Sequence, residues 1–128
     1  MVYLDSSVVL AYLLAEDRHP PGYLWNEELV SSRLLEYEVW NRLNADGVAA
    51  SRGERARALL ARISLTEMDR GALARALEPW PVSLRTLDAL HLATMDFLRR
   101  HNEPIELASY DNRLTAAAQA LGFPLASL

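Results

Sequence analysis

Short apolar, β-branched stretches alternate with longer stretches of helical period, and this alternation limits the chain more than any other feature. Val2 to Leu4, Leu29 to Ser31, Ile63 to Leu65 and Glu106 to Ala108 read as strands. Between and after them, helical patterns run over Val8 to Ala15, Leu34 to Leu43, Arg52 to Arg62, Glu67 to Leu77, Leu87 to Leu98 and Asn112 to Leu121. Strands separated by whole helices cannot pair as hairpins, so the pattern predicts a βαβ protein with a mostly parallel sheet. Punctuation residues sharpen the boundaries. Ser6 or Ser7 is expected to cap the first helix, and His19-Pro20-Pro21-Gly22 forces a turn before a short helix around Tyr23 to Glu28. Asp46-Gly47 stops the Leu34 helix, Ser51 is expected to cap the next, and Thr66 with Asp69 resembles a capping box for Glu67 to Leu77. Gly122 closes the last helix, and Pro124 to Ala126 reads as a terminal edge strand, where proline is tolerated.

A length of 128 residues, 51% of them hydrophobic, suits one domain over residues 1–128. Cysteine is absent, which excludes disulfides, thiolate nucleophiles and cysteine zinc sites. The apolar stretches are too short or interrupted to span a bilayer. Met1 to Leu14 contains Asp5 and has no basic start, unlike a secretory signal, so a cytoplasmic location is expected. The net charge of −4 at first argues against a nucleic-acid partner, but four of the 17 acidic residues are special, and the other 13 balance the 13 basic residues. Every basic residue is arginine, a side chain suited to bidentate phosphate contacts, although base composition alone would produce the same bias.

The four special acids are Asp5, Glu38, Asp88 and Asp111, each beside an apolar element. Asp5 closes the first strand, Asp111 follows the Ile105 to Tyr110 segment, and Asp88 opens a long apolar helix. In an open α/β sheet, strand ends and helix starts meet at the ligand crevice. Carboxylates that converge near a core share a cation or stay partly protonated, because isolated buried charge is costly. Helical geometry ranks the second acid: at about 100° per residue, Glu38 falls inside the arc of Leu34, Leu35, Val39 and Leu43, whereas the alternative, Glu36, falls at its rim. Plainer roles compete. Asp5 and Asp111 can cap helices, Asp88 can complement a helix dipole, and Glu38 can pair with Arg42 one turn on. His91 reads as a packed core histidine, and His19 and His101 show no metal-ligand spacing. Trp25, Trp40 and Trp80 read as packing or interface residues. No Gly-rich phosphate loop or nucleophile elbow is present.

Leu4-Asp5-Ser6-Ser7, the Ser31 to Val39 segment, Leu84 to Ala93 and Ser109-Tyr110-Asp111 together resemble PIN-domain ribonucleases, especially the VapC-like toxins of toxin–antitoxin pairs. The likeness covers nearly the whole chain and is most specific around Asp88. It implies a three-layer α/β/α fold with a central parallel sheet of about four or five strands. It also implies Mg²⁺ or Mn²⁺ dependence and hydrolysis of RNA phosphodiester bonds. By position, Asp5 and Asp88 resemble the principal metal ligands, Glu38 a third acid and Asp111 the fourth, with Ser7 orienting Asp5 or a water. Arg85 and Arg113 adjoin two of these acids as phosphate clamps. A homodimer and a cognate antitoxin covering the acidic pocket complete the expectation. Two rivals stand beside it. A Mg²⁺-dependent phosphotransfer domain of the receiver or phosphatase type lacks its lysine here and has Ser7 where a second aspartate belongs. In a non-catalytic interaction domain, the acids would be caps only.

Overall fold

The protein is described by a computed structural model covering residues 1–101 and 104–128. Four strands, β1 (Val2–Leu4), β2 (Leu29–Ser32), β3 (Ser64–Thr66) and β4 (Glu106–Ala108), form a parallel sheet in the order β3-β2-β1-β4. The helices are α1 (Ser6–Leu13), α2 (Leu34–Ala45), α3 (Ala49–Leu60), α4 (Arg70–Ala76), α5 (Thr86–Arg100) and α6 (Asn112–Ala120), with a 3₁₀ turn over Gly22–Asn26. None of them is long and apolar enough to cross a membrane.

Strand side chains alternate between faces, and this pleat splits the core in two. Val2, Leu4, Leu29 and Ala108 pack with α1, α2 and α3, whereas Tyr3, Val30 and Leu107 pack with α5 and α6. Both faces of the short strands are therefore covered, as the near-continuous apolar runs require, and the layers are α/β/α. Trp25 and Trp40 pack against the first cluster and Trp80 against the second, so all three contribute to packing. On the second face α4 is pinned to α5 by buried Asp96, which pairs with Arg75 at 3.0 Å, Arg99 at 2.7 Å and Arg100 at 3.1 Å.

Several expected boundaries move, each for a local reason. Asp5, not Ser6 or Ser7, caps α1, so the helix begins two residues before Val8. Ser51 lies inside α3, with its hydroxyl donating to the Val48 carbonyl at 3.2 Å, and so caps nothing. Thr66 belongs to β3; Asp69 alone caps α4, accepting from the Ala72 N–H at 2.9 Å, and the helix starts three residues after Glu67. The strand around residue 64 is Ser64–Thr66 rather than Ile63 to Leu65. Gly122 does end α6 with φ +82°, the left-handed conformation glycine adopts without penalty. The expected edge strand at Pro124 shrinks to one parallel bridge, Leu107 to Leu125, beside β4.

Candidate metal centre

In a parallel β–α unit the helix runs back along the sheet, so its N-terminus lies at the C-terminal end of the strand before it. The chain leaves β1 toward β2 and β3, then crosses to β4 on the opposite side, which makes the end of β1 the switch point of the sheet. Asp5 directly follows β1, and Asp111 comes three residues after β4. Glu38 sits in the second turn of α2 and Asp88 in the first turn of α5. All four line a single cleft of about 420 Å³, together with Ser6, Ser7, Arg42 and Arg85. Glu36 points elsewhere: it pairs with Arg33 at 3.4 Å and lines grooves beside Trp40.

Hydrogen bonds hold three of the acids, Asp5, Asp111 and Glu38, from behind. Asp5 Oδ2 accepts from the Ser7 hydroxyl at 2.6 Å and the Ser109 hydroxyl at 2.8 Å. The two serines tie the ends of β1 and β4 together, because Ser7 Oγ also accepts from the Tyr110 N–H and Ser109 Oγ from the Asp111 N–H. Asp111 Oδ1 caps α6 by accepting from the Arg113 and Leu114 N–H groups at 2.9 and 3.2 Å. Glu38 Oε2 accepts from the Ser6 hydroxyl at 3.2 Å, and Oε1 accepts from His91 Nε2. Asp5 and Asp111 are thus helix caps and cleft residues at once, so capping does not take either carboxylate out of the cleft.

Arg85 is the cation among these acids, 3.4 Å from Asp88 and 3.2 Å from Asp111. Arg113 reaches Asp111 through its backbone N–H, and it is not among the residues lining the cleft. Arg42 pairs with Asp46 at 2.9 Å and Glu16 at 3.8 Å rather than with Glu38. Burial raises the Asp88 pKa above the ordinary carboxylate value; neighbouring Asp111 and Asp5 raise it further, and Arg85 offsets part of the effect. For His91 burial opposes the charged ring, but the Tyr3 oxygen and the Glu38 carboxylate outweigh it and raise the pKa.

Hard carboxylate oxygens crowded around a cleft, with their mutual repulsion only partly cancelled, are a donor set that suits a hard divalent cation. Asp5, Glu38 and His91 also offer atoms within 4.8 Å of one another. His91 is buried as the sequence suggests, at 1% exposure, but the sequence reading missed its contact with Glu38. Its spacing of three residues from Asp88 on α5 was the available signal, since residues at i and i+3 share a helix face. Ser6 and Ser109 were also missed; their places next to Asp5 and two before Asp111 become meaningful only when β1 and β4 are adjacent.

Residues 2–120 match the PIN domain family. The chain is 35% identical to Ribonuclease VapC46 of Mycobacterium tuberculosis, over 94% of this chain and 92% of the relative. It is 29% identical to Ribonuclease VapC47, over 99% and 96%, and 30% identical to Ribonuclease VapC35, over 94% and 92%, both also from M. tuberculosis. With an α/β/α sandwich whose switch point gathers four carboxylates, and with these relatives matching along nearly its whole length, the chain belongs to the PIN-domain family.

Proposed function

We propose that the protein is a metal-dependent endoribonuclease, the toxin of a toxin–antitoxin pair, with Asp5, Glu38, Asp88 and Asp111 as its catalytic and metal-holding acids. The observation that carries this reading is the convergence of all four on one cleft, where burial, together with the repulsion of neighbouring Asp111 and Asp5, raises the Asp88 pKa above the ordinary carboxylate value. A divalent cation, Mg²⁺ or Mn²⁺, relieves that repulsion. When bound, it supplies Lewis acidity to a phosphodiester and to the attacking water. The protein side chains prepare for it: Ser7 and Ser109 hold Asp5 Oδ2, which leaves Oδ1 to face a cation, and Ser6 and His91 hold the Glu38 carboxylate. Arg85, with its side chain 63% exposed at the rim, is the group that meets a phosphate oxygen once the acids have a metal to face instead. Water adds to phosphorus as the bond to the 3′ oxygen breaks, leaving a 5′-phosphate and a 3′-hydroxyl.

The relatives named ribonucleases support RNA as the substrate. The absence of lysine counts against receiver-type phosphotransfer, and a cleft that concentrates four acids counts against a purely structural domain. A cytoplasmic location accompanies this reading. So do a homodimer and a cognate antitoxin, for which exposed apolar residues on α4 and after it, Leu73 at 44% and Leu77 at 89%, supply contact surface. The decisive experiment is RNA cleavage with Mg²⁺ or Mn²⁺ by wild type and Asp5→Asn. Loss of cleavage in the variant is expected, and equal activity in the two defeats the assignment. Calorimetry with Mn²⁺ separates the non-catalytic alternative, which gives no stoichiometric heat.

A further inference from the structure

A line of buried polar contacts runs from the middle of the sheet to the third acid of the cleft. Tyr3, on central strand β1, and His91, on α5, are 0% and 1% exposed. The Tyr3 hydroxyl shares a hydrogen bond of 2.7 Å with His91 Nδ1, and the rings meet edge to face with centroids 5.8 Å apart. The Ser32 N–H donates to the Tyr3 oxygen at 3.1 Å, while the Ser32 hydroxyl accepts from the Leu34 N–H at the start of α2. On the far side of the ring, Nε2 donates to Glu38 Oε1. The imidazole is therefore held at both nitrogens, and the helix that carries Glu38 is anchored by the same cluster.

We propose that Tyr3 and His91 are positioning residues that fix the Glu38 carboxylate for metal binding, an inference resting on the nuclease reading of the cleft. Phenylalanine and leucine would fill the same space between β1, β2 and α5 without burying polar atoms, so packing alone does not call for this pair. Its contacts end on a carboxylate that lines the cleft, and they leave Glu38 few orientations. Groups that hold a ligand through a hydrogen bond set metal affinity without touching the ion. Side-chain depth assigns the roles: Glu38 is 19% exposed at the cleft, with His91 behind it at 1%.

The test is Mn²⁺ affinity of the full chain, measured by calorimetry on variants with wild-type circular dichroism. Tyr3→Phe keeps the ring and removes the hydroxyl; it is expected to weaken Mn²⁺ binding roughly tenfold. In a Glu38→Gln background the same change is expected to have almost no further effect, because the group it positions is gone. His91→Gln, whose amide can still donate to Glu38, is expected to retain affinity that His91→Leu loses. Wild-type affinity in Tyr3→Phe, or the same loss with and without Glu38, overturns the proposal, since both indicate a purely structural pair. Electron spin-echo modulation of bound Mn²⁺ supplies a second readout: a directly bound imidazole nitrogen makes His91 a ligand and also overturns it. The underlying reading fails separately, if Glu38→Gln binds Mn²⁺ as tightly as wild type.

Discussion

Replacing Asp88 by asparagine separates a metal-holding acid from a helix-dipole partner, because the two roles predict different thermal shifts. In the metal-free protein Asp88 is 7% exposed and faces Asp5 and Asp111, with Arg85 in partial compensation. Asparagine removes the repulsion but also the pair with Arg85, worth at most about 1 kcal/mol for a guanidinium this exposed, and a dipole contact of roughly 0.5 kcal/mol. Because burial and the two neighbouring acids outweigh Arg85 in the folded protein, Tm without metal is expected to hold or to rise slightly. The effect of metal is larger. An unfolding entropy of about 2.1 cal/mol/K per residue over 128 residues makes 1 kcal/mol equivalent to about 4 °C. Mn²⁺ at 100 times its Kd stabilises the folded state by about 2.7 kcal/mol, a rise of about 10 °C. If losing this ligand weakens affinity about 100-fold, the same Mn²⁺ concentration contributes about 0.4 kcal/mol, a rise of only 1 to 2 °C on that scale. Differential scanning calorimetry with and without Mn²⁺ reads both quantities. A Mn²⁺-induced rise in Asp88→Asn as large as in wild type refutes the reasoning.

The other predictions concern residues near and far from the cleft. Glu36→Gln is expected to cleave RNA within a few-fold of wild type while Glu38→Gln loses most activity, because Glu36 pairs with Arg33 outside the cleft; comparable losses in an RNA cleavage assay would contradict this. Asp96→Asn strips the last buried position of α5 of its charge opposite three arginines and is expected to cost roughly 3 kcal/mol in urea unfolding. Although burial opposes it, the arginines lower the Asp96 pKa in the folded protein, so its contribution is complete above the unfolded value of about 3.9 and is lost as pH falls through the lower, folded value. The stability gap between wild type and Asp96→Asn should therefore be flat from neutral pH to about pH 5 and close only in strong acid. Gly122→Ala is expected to destabilise by about 1 kcal/mol, a strain set by its φ of +82° rather than by crowding, since the nearest atom to an added Cβ is 3.9 Å away.

The parallel sheet was legible because period-two and period-3.6 apolar patterns follow from strand and helix geometry, whatever the partner. The acids were legible for a related reason. A carboxylate at a strand end or in a first helical turn has a place in an α/β sheet before any contact is known, and counting 100° steps along α2 favoured Glu38 while leaving Glu36 open; the fold puts Glu38, not Glu36, in the cleft lining. Caps were less legible, because Asp5, Ser6 and Ser7 are all good cap residues and the choice depends on where β1 stops. Thr66 was misassigned for the same reason: its pairing in β3 competes with capping, and pairing requires β2 beside it.

What local chemistry could specify was the order of elements, their faces and the four acidic positions, since each depends on neighbours in the chain. What had to await folding was everything that depends on separations of tens of residues. Ser109 meets Asp5 across 104 positions and His91 meets Tyr3 across 88, so no window of sequence contains either pair. Arg85 shows the same division: its position beside Asp88 is visible in sequence, but its contact with Asp111 exists only because β4 returns to lie against β1. Distance along the chain carries no information about such contacts; the strand order fixes them.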